Sequence, residues 1–112
     1  MSFEISYLMD KLRVWMQGDG YRGVDTYAVQ GYKPDLIGVN AAGRYANGEI
    51  KTLEKFKTER TMNKIKAFGT AKEKDGTLIP LYIAVPKGNE EAMRKLVEGV
   101  LADMSHVKVK GF

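Results

Sequence analysis

The sequence predicts an α/β fold: a mixed central sheet flanked by helices, completed by a C-terminal helix and a short edge strand. Three observations predict it. Apolar residues recur at helical spacing in three separate stretches. Leu81-Tyr82-Ile83-Ala84-Val85 is an unbroken apolar run, as expected of a strand covered on both faces. Helical and strand-like stretches alternate in the order α-β-β-β-α-β-α-β, which needs helices packed against a sheet.

Ile5, Leu8, Met9, Leu12 and Trp15 share one face of an amphipathic helix over residues 3–17. Ser2 is suited to cap it, and Gly18-Asp19-Gly20 ends it. Residues 24–30 read as a strand, broken by Tyr32-Lys33-Pro34 because proline offers no ladder donor. Residues 36–39 begin a second strand, and residues 50–53 lie in a third. Met62, Ile65 and Phe68 mark one face of a helix over about residues 57–72, followed by a Lys74-Asp75-Gly76 turn. Asn89 is placed to cap the third helix, with Glu90 and Glu91 at its positive end. That helix is expected to bury Met93, Leu96, Val97, Val100, Leu101 and Met104. Val107 and Val109 alternate with Lys108 and Lys110, a pattern that protects an edge strand by charge.

The 112 residues fit one domain, with a modest core. There is no cysteine, which excludes disulfides and thiolate metal sites. The amphipathic start lacks the form of a secretion signal, and no run reaches the ~20 apolar residues of a membrane span. A cytoplasmic protein without membrane partners is expected. Net charge is +4, and residues 51–74 carry eight basic side chains against three acidic ones. Such a segment attracts polyanions, although a solvated helix has the same composition.

Gly18-Asp19-Gly20-Tyr21-Arg22-Gly23 matches the spacing of a dinucleotide-binding loop, but it follows a helix and precedes a strand. No helix N-terminus would face the phosphates, so no nucleotide cofactor is expected. The lone histidine, His106, excludes a Ser-His-Asp triad or a two-histidine metal site within one chain and is expected at the end of the third helix.

Residues 34–51 hold the more informative pattern. Asn47-Gly48 is a strong hairpin-turn signal, but a turn there would leave Asp35 and Glu49 far apart. A loop centred on Ala42 instead places Asp35 opposite Glu49, with Glu49 and Lys51 on the same face and Ile50 pointing into the core. Asn47-Gly48 would then be a bulge in the third strand. Two facing carboxylates repel, and a divalent cation removes that repulsion. Mg2+ takes oxygen ligands and keeps several waters, so Asp35, Glu49 and the main-chain carbonyl of Ile50 are candidate ligands, with Mn2+ a possible substitute. The ordinary alternative is a surface Glu–Lys pair beside an Asp-containing turn, which contributes little to stability.

Pro34-Asp35, followed by Glu49-Ile50-Lys51 fourteen residues after the aspartate, resembles the motif of the PD-(D/E)xK nuclease superfamily, which includes restriction endonucleases and Holliday-junction resolvases. The element order over roughly residues 1–86 is similar to that superfamily's restriction-endonuclease-like α-β-β-β-α-β core. The resemblance implies that Asp35 and Glu49 bind metal and that Lys51 assists phosphodiester hydrolysis in DNA. It also implies a further acid on the first helix, for which Glu4 is the best-placed match and Asp10 the second. Lys55, Lys57, Arg60, Lys64 and Lys66 follow directly and would hold the nucleic-acid backbone. Tyr45 shares the face of Glu49 and Lys51 and is a candidate for base stacking; Tyr21, Tyr27, Tyr32 and Tyr82 are more ordinary packing residues. One site per chain suggests a homodimer for double-strand cutting, with Met9, Trp15 and Met16 as candidate interface or core residues. A non-catalytic DNA-binding or protein-interaction module on the same fold is the alternative.

Overall fold

The computed structural model describes residues 3–112, so the expected Ser2 cap lies outside the described residues. The elements are α1 (Phe3–Gly18), β1 (Arg22–Val24), β2 (Leu36–Val39), β3 (Tyr45–Ile50), α2 (Glu59–Gly69), β4 (Leu81–Val85), α3 (Glu90–Val100) and β5 (Val107–Gly111), with a short 3-10 turn at Leu53–Lys55. The five strands run in the spatial order β1-β2-β3-β4-β5. The β1–β2 and β2–β3 pairs are antiparallel, and the β3–β4 and β4–β5 pairs are parallel. The architecture is an α/β restriction-endonuclease-like core, as the element order predicts.

Two apolar layers sandwich the sheet. Leu8, Leu12 and Met16 of α1 pack on Ala46, Ile50, Tyr82 and Ala84. On the other face Ile65 and Phe68 of α2 and Met93 and Val97 of α3 pack on Leu81, Ile83 and Val85. β4 is buried along its whole length, which explains its unbroken apolar run. β5 sits at the edge with Lys108 and Lys110 exposed.

The hairpin forms around the Ala42-centred loop. The Asn40 side-chain oxygen accepts the backbone N–H groups of Ala42 (3.0 Å) and Arg44 (2.9 Å), and Gly43 adopts a positive φ of 79° that favours glycine. The β2–β3 register then runs unbroken from Val39–Tyr45 to Leu36–Gly48. The bulge expected at Asn47-Gly48 is absent. Gly48 serves packing instead: a Cβ there would lie 2.9 Å from Met16 Sδ and 3.0 Å from Leu12 Cδ2, so a glycine lets α1 approach the sheet.

Four local expectations differ from the structure. Residues 25–28 are irregular rather than part of β1, and the chain turns at Gln30 and Gly31, both with positive φ, between an isolated Val29–Tyr32 bridge. The third strand ends at Ile50, and Leu53 belongs to the 3-10 turn. Asn89 makes no side-chain cap; the Glu90 carboxylate instead accepts the Gly88 N–H at 2.6 Å. His106 lies beyond α3, and its Nε2 is 2.7 Å from the Gly69 carbonyl oxygen at the end of α2. The glycine-rich segment after α1 is a helix stop. Tyr21 N–H donates to the Met16 carbonyl and Gly20 N–H to the Gln17 carbonyl, each at 3.0 Å, with Gly20 at φ 95°.

Candidate active site

Continuing the β2–β3 register one residue beyond Leu36–Gly48 sets Asp35 opposite Glu49. Asp35 is fixed there by its own hydrogen bond, accepting the Ile50 N–H through Oδ2 at 2.8 Å. Ile50 turns its side chain into the α1 layer, so Glu49 and Lys51 project to the opposite face. Lys51 Nζ lies 3.8 Å from Glu49 Oε2. The three side chains picked out by spacing therefore meet, on the face covered by α2.

Glu49 is only 1% exposed. A fourth group reaches it: Lys64 of α2, itself 6% exposed, places Nζ 2.8 Å from Glu49 Oε1. Neither carboxylate oxygen of Glu49 has a donor in hydrogen-bonding alignment, so the contacts with both lysines are ionic. Burial pushes the Glu49 carboxyl up to about 8, and the neighbouring Asp35 carboxyl adds to the rise; Lys51 and Lys64 pull the other way. Burial also pushes the Lys51 ammonium down from its ordinary range. Glu49 and Asp35 oppose that fall, and Lys64 and Arg60 reinforce it. A lysine so placed exchanges a proton with water or a developing anion more readily than a surface lysine does.

Asp35 and Lys51 line a cleft of about 210 Å³ together with Ile5, Met9, Glu54 and Lys55. Asp35 and Glu49 are hard oxygen donors of the kind that could hold a divalent cation such as Mg2+ or Mn2+, and both Glu49 oxygens are buried with a lysine beside each. Among the described residues no three acidic, histidine or cysteine side chains gather as a metal site. Neither Glu4 nor Asp10 therefore completes a three-acid set with Asp35 and Glu49. Glu4 is exposed in the first turn of α1, and Asp10 pairs with Arg13 at 3.3 Å.

The expected nucleic-acid contacts divide. Lys55 lines the site cleft, and Lys57 lines an adjoining apolar hollow that shares Glu54 with it. Arg60 and Lys66 are exposed, Arg60 lying over the Tyr32 ring. Lys64 is not a surface cation, because it points inward onto Glu49. Tyr45 lies at the far end of β3 from Glu49, with its ring edge-on to Tyr27. Tyr82 is buried and donates to Asp19 at 2.6 Å. Met16 is core, and Trp15 packs edge-on against Tyr82 and Phe112.

Sequence reasoning placed Lys64 among the backbone-holding cations and missed it as the partner of Glu49, and it left Glu54 out of the cleft. A signal for Lys64 existed. Thr61, Lys64, Ile65 and Phe68 fall on one helical stripe, and all four are buried.

No protein-family model matches the chain, and no curated protein sequence matches it. The crystal structure of a repair endonuclease from Pyrococcus abyssi is similar in fold, with a TM-score of 0.57 at 16% sequence identity. The match covers 96% of this chain and 46% of that one, so the chain spans just under half of that protein's length. No helix among the described residues is long and apolar enough to cross a membrane.

Proposed function

We propose that the chain is a divalent-cation-dependent endonuclease of the PD-(D/E)xK type that hydrolyses phosphodiester bonds in DNA. The observation that carries this reading is the β2–β3 register, which sets Asp35 against Glu49 with Lys51 3.8 Å from the Glu49 carboxylate. The shared fold with a repair endonuclease supports it. Asp35, Glu49 and the Ile50 main-chain carbonyl would hold Mg2+ or Mn2+, which supplies Lewis acidity toward a phosphoryl oxygen and a more acidic water. Lys51, with its ammonium pushed down by burial, orients the attacking water and balances charge on the phosphate. Lys55, Lys57, Arg60 and Lys66 hold the backbone, giving affinity that falls with salt and carries little sequence preference. A homodimer would bring two such sites to a duplex.

The test is cleavage of labelled duplex, single-stranded and branched DNA with Mg2+, with Mn2+ and with EDTA. Metal-dependent cutting that disappears in Lys51→Met while DNA binding persists is expected. Binding without cutting under every condition would leave a non-catalytic DNA-binding module.

A further inference from the structure

Lys64 places its ammonium 2.8 Å from one oxygen of Glu49, and Lys51 lies 3.8 Å from the other. With Glu49 ionised, the patch holds two carboxylates and two ammonium groups, which balance. A divalent cation bound to Glu49 would add two further positive charges beside an ammonium in a poorly hydrated space. Like charges at such distances repel by several kcal/mol even at an effective dielectric near ~20. Lys64 is a flexible four-carbon chain from one face of α2, its ammonium also 5.8 Å from the centre of the buried Phe68 ring.

We propose that Lys64 is the resident counter-ion of Glu49, which a divalent cation must displace. The inference rests on the nuclease reading for the existence of a metal site, and deepens it. In this account Lys64 is a positioning residue. Without metal it keeps a buried carboxylate paired; with metal it withdraws, so the cation binds by exchange and more weakly than two carboxylates alone would allow. A lysine that only holds the helix to the sheet would stay on Glu49 when the metal binds.

The test compares wild type, Lys64→Met, Lys64→Gln and Lys64→Arg by Mn2+ binding calorimetry and by thermal unfolding in EDTA and in Mn2+. Lys64→Met should melt below wild type in EDTA, gain more from Mn2+ than wild type does, and bind Mn2+ about tenfold tighter. Lys64→Gln should follow it, and Lys64→Arg should keep the wild-type affinity. In the unaltered chain, Mg2+ titration should shift the Lys64 13Cε resonance as the ammonium leaves Glu49. Equal Mn2+ affinity in wild type and in the Met or Gln variant overturns the inference while leaving a metal site in place. An unmoved Lys64 resonance on saturation with Mg2+ overturns it even if neither variant folds. Absence of Mn2+ binding in every chain overturns both the inference and the nuclease reading.

Discussion

Replacing Glu49 with glutamine keeps its shape and removes its charge. The carboxyl is 1% exposed and pushed up to about 8, first by burial and next by Asp35. In an unfolded chain a glutamate titrates near ~4.3. A carboxyl raised on folding holds its proton more tightly in the native state. Its contribution to stability is therefore full below the unfolded value and is lost as pH rises through about 8. The gap is between three and four pH units at about 1.4 kcal/mol each, a ceiling of about 5 kcal/mol. Relaxation of the site around a newly formed charge trims that ceiling, so a loss of about 2–4 kcal/mol is expected between pH 5 and pH 8.5. Glu49→Gln should lack this loss. Urea denaturation of both chains across that range, without divalent metal, measures the difference directly. Parallel stability curves, agreeing within about 0.5 kcal/mol in slope over the range, would show that Glu49 titrates as a surface residue and refute the electrostatic account of the site.

Further outcomes follow from the geometry. Gly48→Ala should lose about 1–3 kcal/mol in urea denaturation, because its Cβ would meet Met16 Sδ at 2.9 Å and Leu12 Cδ2 at 3.0 Å; a neutral result would mean that α1 is not tightly seated. Asp35→Ala should cost about 1.5–3 kcal/mol by leaving the Ile50 N–H without its charged acceptor, whereas Asp35→Asn keeps an acceptor and should cost under about 1 kcal/mol. Equal losses in thermal melts of the two variants would deny Asp35 that anchoring role. Asp19 accepts from Tyr82 and Lys108, and the Tyr82 hydroxyl is the first cause of its lowered pKa. A depressed carboxyl contributes stability above the unfolded value near ~4 that is lost as pH falls, so wild type should lose more stability than Asp19→Asn between pH 5 and pH 3.

The fold was legible where pattern and packing agree. The unbroken run of β4 and the alternation of β5 each state how many faces are covered, and the structure follows both. The register of the hairpin was legible because strand parity leaves two incompatible outcomes, and only the Ala42-centred loop brings the charged residues to one face. The role of Gly48 was not legible. A glycine in a turn and a glycine beneath a helix look alike until the helix is placed. Residues 25–28 carried strand-like composition but find no strand partner, and tertiary pairing decides such a segment. Lys64 was hidden by its charge. Lysine is seldom buried, so its place on the Thr61–Phe68 stripe was read as solvent-facing, and only the depth of Glu49 shows why α2 brings an ammonium inward.

The measurement that tests the central claim most directly is DNA cleavage by the purified chain in Mg2+, side by side with Asp35→Asn and Glu49→Gln, all three first shown to be folded. The account predicts cutting by the wild type that EDTA abolishes, and a fall of at least about a hundredfold in each variant, consistent with losing ~3 kcal/mol of transition-state stabilisation. Cutting at the wild-type rate by either variant, or cutting that persists in EDTA, would contradict it.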